Sequence, residues 1–169
     1  MQNISLTKHF KFSEFTVSRT AEEQGIENIP PPEAVENLKR LCENTLEPLR
    51  EDLGLPVIIT SGYRCQALNN IIVHSNKRKS QHLYGQAADL YVVLSSGFMI
   101  KGLSRRDLLV MAFRLIITDA NIDYDQLIIY PTFIHVSYVS RKANRHKLTR
   151  AFGNGKYQNL TRAQALSLS

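Results

Sequence analysis

A glycine stands between a histidine and an aspartate in Ser80-Gln81-His82-Leu83-Tyr84-Gly85-Gln86-Ala87-Ala88-Asp89, and this spacing restricts the local fold more than any other feature of the chain. On a helix, residues seven apart would share a face, but Gly85 weakens a helix and favours a turn. The residues after it, Ala87-Ala88-Asp89-Leu90-Tyr91-Val92-Val93, end in aromatic and β-branched side chains that favour a strand. The segment therefore predicts an approach loop carrying His82 and a strand carrying Asp89. Neutral imidazole and carboxylate both suit zinc. Two such residues alone make a weak metal signal, and a surface histidine with a strand aspartate satisfied by a backbone donor is the plainer reading of them.

The surrounding sequence narrows the choice. Upstream, Val57-Ile58-Ile59-Thr60 reads as a short buried strand running into Ser61-Gly62-Tyr63-Arg64-Cys65, with Asn69 beyond, and downstream His135 lies in Ile134-His135-Val136-Ser137. With S-G-Y-R leading into S-x-H-x-x-G-x-A-x-D and a later histidine, the chain resembles the zinc D-alanyl-D-alanine carboxypeptidases and related phage endolysin peptidases, which share a hedgehog-like fold. The resemblance runs from about Phe10 to Phe152. It implies zinc held by His82, Asp89 and His135, with Arg64 and Ser80 binding substrate and the stem peptides of peptidoglycan as that substrate. The residues by themselves leave His135 open as a satisfied core histidine and Arg64 as a structural ion-pair partner.

Two runs, Gln126-Leu127-Ile128-Ile129-Tyr130 and Phe133-Ile134-His135-Val136-Ser137-Tyr138, joined by Pro131-Thr132, predict a β-hairpin. Side chains alternate along a strand, so Phe133, His135 and Ser137 share a face. An even-numbered loop with Tyr130 opposite Phe133 sets Ile128 against His135 and Gln126 against Ser137, so that Gln126 points toward the metal and Asp125 away. An odd-numbered loop reverses this. A zinc peptidase needs a base to take a proton from water. In much of the resembled family a carboxylate three residues before the last histidine does so, but here that position is Thr132. Gln126 can hydrogen-bond water or an oxyanion and cannot act as the base. The alternative reading is thus a zinc-binding module of the same fold, impaired in catalysis, that binds cell wall or a protein partner.

With 169 residues, 43% apolar and 21% charged, the chain predicts a single α+β domain over 1–169, with a core of about 10–152 and a looser tail of 153–169. The sheet is expected to be small and mostly antiparallel, with helices packed against it. No apolar run reaches membrane-spanning length, and the first residues lack the apolar core of a signal peptide. A net charge of +6 favours polyanionic partners, and its basic residues gather at Lys77-Arg78-Lys79 and from Arg141 to Arg150. Nucleic acid fits the charge alone: no recognisable RNA-binding motif or helix-turn-helix accompanies it. Cys42 and Cys65 are too few for a disulfide framework; Cys42 is expected to be buried, and Cys65, next to Arg64, to line the cleft.

Among the helices, Thr20-Ala21-Glu22-Glu23 reads as a capping box for a short helix ending at Gly25. Pro30-Pro31-Pro32 leads into a longer helix with Val35, Leu38, Leu41, Cys42, Leu49 and Leu53 on one face, kinked by Pro48 and stopped by Gly54. Further helices are expected over Gln66–Ile72 and after Ser104, with a loop from Leu94 to Gly102 and a last strand near Leu148–Phe152. His74 and His146 lie among polar and basic residues, which reads as surface placement.

Overall fold

The computed structural model describes residues 4–74, 79–94 and 103–169. The loop expected from Leu94 to Gly102 falls, beyond Leu94, outside the described residues, and so do Lys77 and Arg78.

Two short helices open the chain, α1 (Phe12–Thr16) and α2 (Arg19–Glu23). The cap of α2 is Ser18, whose side chain accepts from the Ala21 N–H, so the helix begins before the expected Thr20. Serine and threonine compete for such caps, and the one with extended backbone wins. From Pro32 the chain is helical to Leu53, as α3 (Pro32–Leu41), a π-turn (Cys42–Leu46) and α4 (Glu47–Leu53). The interruption expected from Pro48 is this π-turn. Pro48 has no N–H to offer the Asn44 carbonyl, which instead accepts from the Asp123 N–H at 2.9 Å. Gly54 then closes α4 in the left-handed region at φ 62°.

The remaining elements are β1 (Val57–Ser61), α5 (Gln66–Val73), a 3-10 turn (Gln81–Tyr84), β2 (Ala87–Val92), α6 (Arg105–Thr118), β3 (Gln126–Ile129), β4 (Ile134–Ser137), β5 (Lys147–Ala151), β6 (Tyr157–Asn159) and α7 (Arg162–Leu166). Six strands form one sheet in the order β1-β2-β4-β3-β5-β6, antiparallel throughout except where β5 runs parallel to β3. Ser104 caps α6 through a capping box with Asp107, as its position before an apolar helix predicts.

Alternation along the strands sorts the sheet into two faces. Ala88, Leu90 and Val92 of β2, Leu127 and Ile129 of β3, Ile134 and Val136 of β4 and Leu148 of β5 enter the hydrophobic core, which α3, α4 and α6 also supply. Their sequence neighbours Asp89, Ile128, His135 and Thr149 line the opposite face. The tail expected to pack loosely is exposed over 153–159, β6 included, and is anchored at a few points. β6 pairs with β5 through Arg150 opposite Gln158, and α7 buries Ala165, with Leu168 behind it. Its few apolar residues, spaced by polar ones, are enough to close the core edge beside α6.

Candidate metal centre

The two motif segments are built onto each other through backbone atoms. Arg64 N–H donates to the His82 carbonyl at 3.1 Å, and the Gly62 carbonyl lies 2.6 Å from His82 Nδ1. A carbonyl only accepts, so Nδ1 carries the proton and Nε2 keeps its lone pair. Gly62 is required here because a Cβ would lie 2.6 Å from the Phe15 backbone, where Tyr63 N–H donates to the Phe15 carbonyl.

The 3-10 turn that carries His82 is locked at its far end by Gly85. That residue has φ +66°, and an added Cβ would land on the Ala34 carbonyl oxygen of α3. Asn37 of α3 donates to the Tyr84 carbonyl at 2.9 Å, fastening the same turn to the helix. Ser80 caps the turn, its hydroxyl 3.4 Å from the His82 N–H. The glycine that suggested a bend thus also sets how closely turn and helix approach.

Asp89 and His135 meet because β2 and β4 pair with these two residues directly opposite each other. Such partners have Cβ atoms about 4.5–5.5 Å apart on one face. The hairpin has the even-numbered register, with Ile128 opposite His135, Gln126 opposite Ser137, and Tyr130 N–H donating to the Phe133 carbonyl at 2.9 Å. Gln126 accordingly lines the cleft and Asp125 turns away, buried under Arg145 and Gln81.

Three atoms converge at the cleft floor. His135 Nδ1 lies 2.9 Å from Asp89 Oδ1, His82 Nε2 lies 3.3 Å from the same oxygen, and the two imidazole nitrogens are 3.3 Å apart. Tetrahedral zinc with bonds of about 2.0–2.1 Å needs donor atoms roughly 3.3 Å from one another. The spacing fits. Lone pairs this close repel unless a proton or a cation lies between them.

Burial lowers the proton affinity of His82 and so favours its neutral, ligating form. Burial works against ionised Asp89, but the neighbouring His82 and His135 outweigh it and hold the carboxyl well below its usual range. Asp89 Oδ2 is taken by Arg64 Nη2, and Arg64 Nε donates to Ser61 Oγ at 2.8 Å. Arg64, expected to meet the substrate, is only 7% exposed and is turned onto Asp89.

The floor opens into a cleft of about 750 Å³, lined among others by Ser80, Gln126, Ile128, Tyr130, Phe133 and Lys147. Among the described residues its only carboxylate is Asp89. Thr132 stands exposed at the hairpin turn, away from this lining. Cys65, expected beside the cleft, does not line it but packs half-buried against the core at the start of α5. His146 pairs with Asp123 at 2.8 Å, and His74 ends α5 in the left-handed region at φ 49°.

Sequence reasoning missed Asn28. Its amide donates to the Thr16 and Tyr63 carbonyls, each at 2.9 Å, and its oxygen accepts from Cys65 N–H at 2.8 Å, bracing the segment that presents Arg64. A lone asparagine in a loop carries no sequence signal for such a role.

One imidazole from the 3-10 turn, and a second imidazole and a carboxylate from two paired strands, stand at zinc spacing under an open cleft, as the floor of a metallohydrolase requires. The chain belongs to the Peptidase M15 family, a family of zinc-dependent peptidases, whose model matches residues 8–109. That match includes Arg64, Ser80, His82 and Asp89 and stops before Gln126 and His135. No curated protein matches the chain. No helix among the described residues is long and apolar enough to cross a membrane.

Proposed function

We propose that this peptidase holds zinc between His82, Asp89 and His135 and hydrolyses peptide bonds in the stem peptides of peptidoglycan. The observation that carries the reading is the convergence of the three ligand atoms at tetrahedral spacing on the cleft floor. Zinc bound there would supply Lewis-acid polarisation of the scissile carbonyl and a lowered pKa for water.

The chain's own residues supply the rest. The Gly62 carbonyl fixes His82 as the Nε2 ligand, and Arg64 orients Asp89 through Oδ2. Two of the five guanidinium N–H donors of Arg64 are thereby used, and others remain to meet a substrate carbonyl or carboxylate at the cleft wall. Ser80 offers its hydroxyl at the rim. Gln126, on the same face as His135, hydrogen-bonds the attacking water or the developing oxyanion. The ring of Phe133, stacked on Tyr130 at 4.2 Å between centroids, supplies an apolar wall for the substrate backbone.

A second reading has its own support: among the described residues the cleft holds no carboxylate free of the metal centre to act as base. In that reading the chain retains zinc and binds wall or a protein partner without turnover. Metal analysis of the purified protein, followed by mass spectrometry of digested sacculi, separates the two. Zinc with released stem fragments supports the peptidase; zinc with wall pelleting and no fragments supports the binding module; absence of zinc removes both.

A further inference from the structure

The cleft has a second polar locus, on β5 and β6, away from the metal ligands. Parallel pairing sets Lys147 beside Gln126 and Thr149 beside Ile128, and antiparallel pairing sets Asn159 beside Thr149. All three line the cleft on the face that carries His135. Thr149 is 4% exposed, and its hydroxyl finds no hydrogen-bond partner among the described residues. Leaving a buried hydroxyl unpaired costs roughly 1–3 kcal/mol, so a group from outside the chain is the natural partner.

Charge selects that group. Arg145, on the same rim, is already neutralised by the buried Asp125, which accepts from its Nε and Nη2 and from its backbone N–H. Lys147 is exposed and forms no ion pair among the described residues. An ammonium, a hydroxyl donor and an amide donor on one wall match an anionic oxygen pair.

We infer that Lys147, Thr149 and Asn159 form a subsite for a carboxylate of the bound peptide substrate. The inference rests on the peptidase reading for the word substrate; the binding site itself does not. A carboxylate can come from an acidic side chain or from the chain end, and the subsite chemistry is the same for both.

The test is a calorimetric titration of the zinc-loaded protein with short peptides that differ only in one group: glutamate against glutamine, and a free carboxyl end against its amide. Wild type should bind one of the acidic members about tenfold more tightly than its neutral twin, the scale of one charged hydrogen bond on a wet rim. Lys147→Ala should bring the ratio near one, Lys147→Arg should keep most of it, and Thr149→Val should reduce it severalfold, with zinc content unchanged in each. The pair that shows the ratio identifies the carboxylate's source. Equal binding of acid and neutral twins by wild type, binding of none of them, or a ratio untouched by Lys147→Ala overturns the inference. Discrimination without cleavage would leave the subsite standing and remove the peptidase reading.

Discussion

Two clusters among the described residues bring histidine and carboxylate side chains within ligand distance, His82-Asp89-His135 and His9-Glu47-Glu51, and they differ in almost everything else. In the first, the histidines and aspartate come from a locked turn and two paired strands. His82 is tied to a backbone carbonyl, and the trio opens into a cleft. In the second, the carboxylates are already satisfied. Glu47 accepts from Thr7 at 2.6 Å and from the His9 backbone at 3.2 Å, with His9 Nδ1 at 2.5 Å, while Lys8 pairs with Glu51 at 3.3 Å. Proximity of ligand types is thus a weak criterion; burial, an outer partner that leaves the lone pair inward, and an open approach are what separate a metal centre from a surface crosslink.

Replacing ligands tests this contrast most severely. His82→Ala, Asp89→Ala and His135→Ala should each lower zinc affinity by more than the roughly 10–100-fold that loss of an outer partner costs, and bring hydrolysis to background. His9→Ala should leave zinc content unchanged by elemental analysis. Retained zinc in the first set, or lost zinc in the last, would reverse the assignment of the two clusters.

Next in size is the scaffold of the buried cluster. Gly85→Ala forces a side chain into the left-handed region and against the Ala34 carbonyl, so denaturant unfolding should show about 2–4 kcal/mol less stability. Asn28→Ala removes three hydrogen bonds from the segment that presents Arg64, a loss of about 1–3 kcal/mol. If the brace matters to the site, zinc affinity falls with it; unchanged affinity would confine Asn28 to stability.

The smallest effect belongs to the surface cluster. Glu47→Gln should cost no more than about 1 kcal/mol. Burial opposes the charge on Glu47, but hydrogen bonds from Thr7 and His9 prevail and lower its pKa below the ordinary 4.5. A carboxyl with a depressed folded pKa stabilises above its unfolded pKa and loses that contribution as pH falls through the folded one. The stability gap between wild type and Glu47→Gln should therefore be full near neutral pH and shrink below about pH 4.5. A gap that widens in acid would contradict the pairing.

Much of the candidate site could be read from local pattern. Gly85 announced the turn and the residues after it announced β2, while the hairpin left two registers open, of which the structure has the even-numbered one with Gln126 inward. These depend on backbone sterics and on the period of a strand, which act between near neighbours. The capping of α2 shows the limit even there, since Ser18 and Thr20 both suit a cap and only the backbone conformation of Ser18 decides.

By itself, then, the sequence determined the periodic elements, the turn and strand that carry His82 and Asp89, and the family to which they belong. Only the tertiary structure decided that β4 lies against β2 to bring His135 to Asp89, that Arg64 turns onto Asp89, that Asn28 braces this segment, and that β5 inserts parallel to β3 so that Lys147 and Thr149 face the cleft. Those contacts join residues far apart in the chain. Their formation depends on which faces of the whole sheet are covered by helices and which are left open, and no local spacing encodes that.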